Sequence, residues 1–324
     1  MKIRAIDGSL RTYSSLADER FAMASIRDLV VHVNDEVVSR HAFELASSLA
    51  ADLGARLTAV LVAAPVNAGV GISAETASLA QQLAQSQRTT LLGIGDRLVA
   101  GARQRHDLAV EVRCTDGDPV EVLRSHAHTA DLLITSQRDP ARDGGLSTGQ
   151  SARLLVGSAC PVLTCPYVGM SAVAVAGSGD ATPLRRALIA WADTRESARA
   201  MRDALPLLMR ASHVELVSFA KDVQSDGSSQ RAALERVVSY LAGHSVQAVP
   251  TLLGQAEASV GERMRRGDMP DVAVAEALLS HAADMHADFI VMGGYGHSRL
   301  WELVLGGVTR TMLETMTVPV LMSH

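Results

Sequence analysis

Two stretches of this chain repeat one another, and that duplication limits the folds open to it more than any other feature. The segment RDLVVHVNDEVVSRHAFELASSLAADLGARLTAVLV begins at Arg27, and RRALIAWADTRESARAMRDALPLLMRASHVELVSF begins at Arg185. Each reads as an apolar strand, a polar turn, a helix with Ala and Leu at three-to-four spacing, and a second strand. The back halves match as well. HTADLLITS (His128–Ser136) parallels MHADFIVMGG (Met285–Gly294), and CPVLTC (Cys160–Cys165) parallels VPVLMS (Val318–Ser323). Asp28–Tyr167 and Arg185–His324 are equal in length, and the stretch between them carries Gly169, Gly177, Ser178, Gly179 and Pro183, a linker composition. The expected layout is an N-terminal extension at 1–22, a first domain at 23–167, a linker at 168–184 and a second domain at 185–324.

Strands alternating with long helices signal βαβ units and a parallel sheet. The first repeat predicts strands near Leu29–Val33, Leu57–Val62, Ala109–Cys114, Leu132–Thr135 and Val162–Thr164. Its first helix turns Ala42, Leu45, Ala46, Leu49 and Leu53 to one face. Its second, near Ala74–Gln104, turns Leu79, Leu83, Leu91, Ile94 and Leu98 inward. The second repeat predicts strands near Ala187–Trp191, Val214–Phe219, Val246–Leu253, Phe289–Gly293 and Val318–Met322. Its first helix points Ala198, Met201, Leu205 and Leu208 inward, and Pro206 should kink or end it, because an interior proline costs ~3 kcal/mol. The fold class is α/β: two tandem, Rossmann-like domains, each with five parallel strands. A sheet wound in both directions binds ligands at the carboxyl ends of its strands, beside the switch point.

Composition narrows the function. Aromatics are only 3% of the 324 residues and the formal charge is −5, so neither a stacking platform nor a basic footprint for nucleic acid is present. No apolar run is long enough to span a membrane, and Met1–Arg20 lacks a signal-peptide core, so a cytoplasmic location is the expectation. The three cysteines, Cys114, Cys160 and Cys165, suit buried small hydrophobes rather than a disulfide framework.

The informative segment is GGYGHSRLWELVLGGVT, Gly293 to Thr309. Gly293 and Gly296 frame a turn in which a backbone without Cβ atoms lets phosphate oxygens come close. Gly306, Gly307 and Val308 open a helix whose free N–H groups favour an anion. His297, Ser298, Arg299 and Arg310 flank the loop, and Thr309 offers a hydroxyl. The bland reading is that these glycines only close turns and allow helix–sheet packing. No Walker A or first-strand G-x-G-x-x-G occurs, and no catalytic or metal site is placed by spacing. The pairs His126/His128, His281/Asp284 and Asp284/Asp288 read as surface polarity.

The strand–GxxG–x9–G–helix arrangement, with TVPVLM at the C-terminus and LIAWADTRESARA opening the second repeat, resembles the universal stress proteins, in their tandem bacterial form. That resemblance implies a five-stranded parallel sheet, pairing of the two domains as a pseudo-dimer with a homodimer as a further option, and in one subclass ATP binding without robust catalysis. It implies that Gly293, Gly296, His297, Gly306, Gly307, Val308 and Thr309 meet ATP, with Ser218–Phe219 bordering the adenine. Three positions depart from the pattern. Gly307 stands where the motif carries Ser or Thr, Ala192 where an Asp commonly ends the first strand, and the first repeat has SQRDPARDGGLSTGQS (Ser136–Ser151) in place of the glycine loop. The first domain is therefore expected to be nucleotide-free. The expected function is an ATP-binding stress-response regulator or chaperone-like factor, not an enzyme, with slow ATP hydrolysis left open; the alternative is a nucleotide-free interaction scaffold. The inserted segment Gly254–Pro270, with Arg263, Arg265 and Arg266, is expected to form a lid or a partner-docking loop.

Overall fold

A computed structural model describes residues 26–63, 74–142, 144–168, 184–219, 228–253, 270–294 and 306–324. The extension at 1–22, the insertion around Arg263–Arg266, and Gly296 and His297 lie outside the described residues.

In the first repeat the elements run β1 (Asp28–Val33), α1 (Glu36–Leu53), β2 (Arg56–Ala63), α2 (Ala74–His106), β3 (Val110–Asp116), α3 (Pro119–Ala127), β4 (Leu132–Ser136), α4 (Thr148–Gly157) and β5 (Val162–Cys165). The second repeat has β6 (Arg186–Ala190), α5 (Arg195–Asp203), α6 (Leu205–Leu208), β7 (His213–Phe219), α7 (Ser228–Gly243), β8 (Ala248–Leu253), α8 (Pro270–Asp284), β9 (Phe289–Gly293), α9 (Gly307–Thr315) and β10 (Val320–Ser323). All ten strands join one sheet in the order β3-β2-β1-β4-β5-β10-β9-β6-β7-β8. Among the described residues pairing is parallel within each half and antiparallel only where β10 meets β5. The chain is thus two doubly wound units fused edge to edge.

The inner strands are buried on both faces, which explains why they read as continuous apolar runs, whereas the outer β3 and β8 are largely half-buried or exposed. Leu29, Val31 and Val33 of β1 pack under α1 and α2, while Val30 faces the opposite layer with α3 and α4. Each layer continues across the β5–β10 seam into the second repeat. Cys160 and Cys165 are buried, and burial pushes their thiols up to about 11 and about 12 respectively, as inert small hydrophobes.

One repeated dipeptide now has a physical reason. Asp131 accepts the Arg27 and Asp28 N–H groups at 2.8 and 3.0 Å, and Asp288 accepts those of Arg185 and Arg186 at 2.7 and 2.8 Å. Each aspartate ties the start of its repeat's first strand to the start of the fourth.

Two helices depart from expectation. Leu79 and Leu83 of α2 are exposed, at 57% and 52%, whereas Leu91, Ile94 and Leu98 are buried. A helix of 33 residues is about 50 Å long, against roughly 23–27 Å for the seven- and eight-residue strands beneath it, so its first half runs past the sheet. In the second repeat Ala198 is only half-buried, and Ser197, Ala200 and Met201 fill that face. Pro206 ends the helix there, starting the separate turn α6.

Candidate functional site

The carboxyl ends of β1 and β4, and of β6 and β9, are the two switch points, and they differ in how the chain treats them. At the first, side chains and loop backbone of the same repeat take up many of the polar groups at the strand ends. Asp35 caps α1, accepting from Val37 N–H at 2.9 Å and Val38 N–H at 2.8 Å, while Ser39 Oγ accepts from Asn34 N–H at 3.2 Å. The Asn34 amide clamps a peptide of the β4–α4 loop from both sides: Nδ2 donates to the Gly145 carbonyl at 3.1 Å, and Gly145 N–H donates to Oδ1 at 3.0 Å. Gly145 has φ of 75°, and a Cβ there would stand 2.3 Å from the Gln137 carbonyl oxygen, so only glycine fits. Next to it Leu146 is buried over the strand ends and donates its N–H to the Ser136 carbonyl at 3.0 Å. The following helix, α4, is closed by a capping box: Gln150 N–H donates to Ser147 Oγ, and Ser147 N–H to Gln150 Oε1. The first switch point is filled by the chain itself.

At the second switch point Thr194 caps α5, accepting from Ser197 N–H at 3.2 Å, and Ser197 Oγ accepts from Ala192 N–H at 3.3 Å. Ala192 has no amide with which to hold down the β9–α9 loop as Asn34 holds its counterpart. Gly306 is the N-cap of α9 and makes no side-chain cap. It is exposed, and an added Cβ there would meet nothing within 4 Å. Gly307 and Val308 are half-buried behind it, and Thr309 is buried, its side chain packed inward rather than at the open helix end. Ser218 is buried and Phe219 half-buried at the end of β7.

Gly293 plays a packing role. A Cβ on it would lie 2.5 Å from the Ser197 nitrogen and 2.6 Å from the Glu196 carbonyl carbon, so its bare backbone lets the start of α5 close on β9. Gly294 serves the seam: its Cβ would sit 2.3 Å from Leu155 Cδ2 of the first repeat. The packing reading of these two glycines thus accounts for their identity.

Charge distinguishes the two helix starts near Gly293. Burial pushes the Glu196 carboxyl up, but its own backbone N–H, the Thr194 hydroxyl and Arg195 outweigh that and hold it below the usual range. An ionised carboxylate therefore sits at the start of α5 and disfavours an anion there. Arg310 lies on α9 but pairs with Glu314 at 3.3 Å.

The histidine pairs weighed from sequence are not brought together as ligands. His281 instead meets Glu215 at 2.9 Å, and the Thr251 hydroxyl donates to the same carboxylate oxygen. Among the described residues no group of three or more His, Cys, Asp or Glu is placed to hold a metal ion, and no helix is long and apolar enough to cross a membrane. The Asn34 clamp and the contacts of Gln137 and Leu155 across the seam were missed by sequence reasoning. Their one trace in the sequence is that the repeats differ there, Asn34 against Ala192 and Gln137 against Gly294.

A model of the universal stress protein family matches residues 25–166 and again 183–324. Among solved structures, the chain is similar to a universal stress protein from Archaeoglobus fulgidus DSM 4304, with TM-score 0.63 and 13% identity over 91% of this chain and 97% of that one. It is also similar to a functionally unknown protein from Pseudomonas aeruginosa PAO1, with TM-score 0.52 and 16% identity over 93% and 94%. At such identities the likeness is one of fold. No curated protein matches the chain.

Proposed function

The chain belongs to the universal stress protein family, and from that premise we propose that its second domain binds ATP and that nucleotide occupancy there sets a stress-response or partner-binding state, without catalysis. The observation that carries this reading is the contrast between two equivalent helix starts. In the first domain α4 is closed by Ser147 and Gln150, whereas in the second α9 begins at an uncapped, exposed glycine. Gly306 supplies no side-chain cap, and N–H groups left free at a helix start suit phosphate oxygens. In this reading phosphates lie over Gly306, Gly307 and Val308, with Gly296 and His297 completing the loop, and Ser218–Phe219 border the adenine. The missing hydroxyl at Gly307 lowers affinity, since a hydrogen bond to a charged group contributes about 1.5–3 kcal/mol.

Gly306→Asp tests the reading. Asp is a good N-cap, the added side chain has open space, and its carboxylate would occupy the anion position. Stability should hold or rise by a few tenths of a kcal/mol, while ATP affinity in calorimetric titration should fall at least ~10-fold. If the wild-type chain takes up no ATP at millimolar concentration, the nucleotide-free scaffold is the better reading.

A further inference from the structure

The antiparallel seam sets Leu163 opposite Leu321, with Val162 opposite Met322 and Thr164 opposite Val320. Leu163 and Leu321 hold the same place in their repeats, so a pseudo-twofold axis passes between them. About such an axis a residue of one domain meets its own counterpart in the other.

Asp52 and Arg210 are counterparts of this kind: each stands equally far beyond the first residue of its repeat's first strand, Asp28 or Arg186. They form an ion pair across the seam, and the same guanidinium donates to the Asp52 carbonyl at 3.4 Å. On the opposite face of the sheet, Gln137 and Gly294 each follow directly on the fourth strand of their repeat. Gln137 is buried, and its Nε2 donates to the Leu313 carbonyl of α9 at 2.9 Å, while its Oε1 accepts from Tyr167 N–H at 3.2 Å. At the symmetry-related place Leu155, the counterpart of Leu313, fills the space that Gly294 leaves.

We propose that these two unlike pairs are a recognition code by which a first domain accepts a second domain and refuses another first domain. Two first domains would set Asp52 against Asp52 and push the Gln137 side chain into the volume held by Leu155. Two second domains would set Arg210 against Arg210 and leave the Leu313 carbonyl without its amide. Like charges in contact oppose association, and a code of this type works by penalising the wrong partner as well as rewarding the right one. The partner this edge fits is therefore the second domain, which the linker supplies within the same chain at high effective concentration. A homodimer, if formed, uses another surface.

The full chain tests this by charge exchange. Asp52→Arg and Arg210→Asp should each lower the melting temperature by about 2–4 °C, and the double exchange should recover it to within about 1 °C of wild type. Gly294→Gln, which gives both domains the amide, should raise hydrogen exchange at the Leu163 and Leu321 amides at least ~10-fold, and adding Leu155→Ala should reverse most of that rise. Single variants that melt as wild type, a double exchange that adds the two losses, or unchanged exchange in Gly294→Gln would overturn the proposal.

Discussion

His32 is wholly buried near the end of β1, with neither ring nitrogen hydrogen-bonded, at a place the second repeat gives to Ala190. Burial pushes its pKa from 6.5 down to about 4, so the folded chain holds the ring neutral. The unfolded chain takes up the proton near pH 6.5 and the folded chain only near pH 4. Between those values the unfolded state binds more protons, so stability falls as pH is lowered through that window and levels off below it. The shift corresponds to about 3 kcal/mol in full, of which ~2.5 kcal/mol is lost by about pH 4.5. Replacing His32 by Leu should remove most of this slope while leaving other titrations in place. Urea unfolding of both chains at about pH 7 and about pH 4.5 measures it; an unchanged difference between the two pH values would show that another group carries the acid sensitivity. Such a residue illustrates what sequence conceals. Within the run LVVHV it reads only as one polar letter in a strand, and its isolation becomes visible when the sheet places apolar layers on both sides.

At the scale of elements, the strands and their places along the chain were legible because period, length and duplication agree. Each of the ten strands begins within two residues of its expected position. What was not legible is how far a helix outruns its support. Leu79 and Leu83 prolong the inward stripe of Leu91, Ile94 and Leu98 with only Gln87 interrupting the spacing, and the sheet beneath simply ends. The two groups should therefore respond differently to substitution. Leu79→Gln and Leu83→Gln are expected to change stability by less than about 0.5 kcal/mol, whereas Ile94→Ala in the same helix should cost ~2–5 kcal/mol through lost burial and the cavity left behind. Thermal or urea unfolding of the three variants decides this; a large loss at Leu79 would mean that its side chain is covered in solution. The candidate site was legible in part for a similar reason. A glycine spacing announces a loop, but the roles of Gly293 and Gly294 depend on Ser197 and Leu155, which reach them only through tertiary packing. Likewise Asn34 finds Gly145 across 111 positions of chain, a distance over which periodicity carries no information.

For the molecule as a whole the question is which sheet edges pair. Among the described residues β3 and β8 are the outer edges. The first carries the Glu111–Arg113 ion pair and ends at Asp116, and the second contains Pro250, which lacks an N–H donor; charge and proline both discourage further pairing. The inner edges, VLTC and VLMS, are short, apolar and unblocked, and these are the two that meet. Joining them makes one continuous pair of core layers, so the seam behaves as interior rather than as a contact between separate bodies. Val320 lies in that seam opposite Thr164 and is fully buried, whereas Val249 on the outer strand is 53% exposed. A lysine at Val320 would have to leave its charge unpaired in the core or pull the seam apart, either of which costs several kcal/mol. Val320→Lys should therefore lower the melting temperature by ~10 °C or more and expose the two inner edges, giving concentration-dependent aggregation in light scattering. Val249→Lys makes the same chemical change at a strand edge open to water, and it should leave both readings close to wild type. If the two variants behave alike, the seam is not a buried part of the molecule in solution and the two domains tumble as separate units.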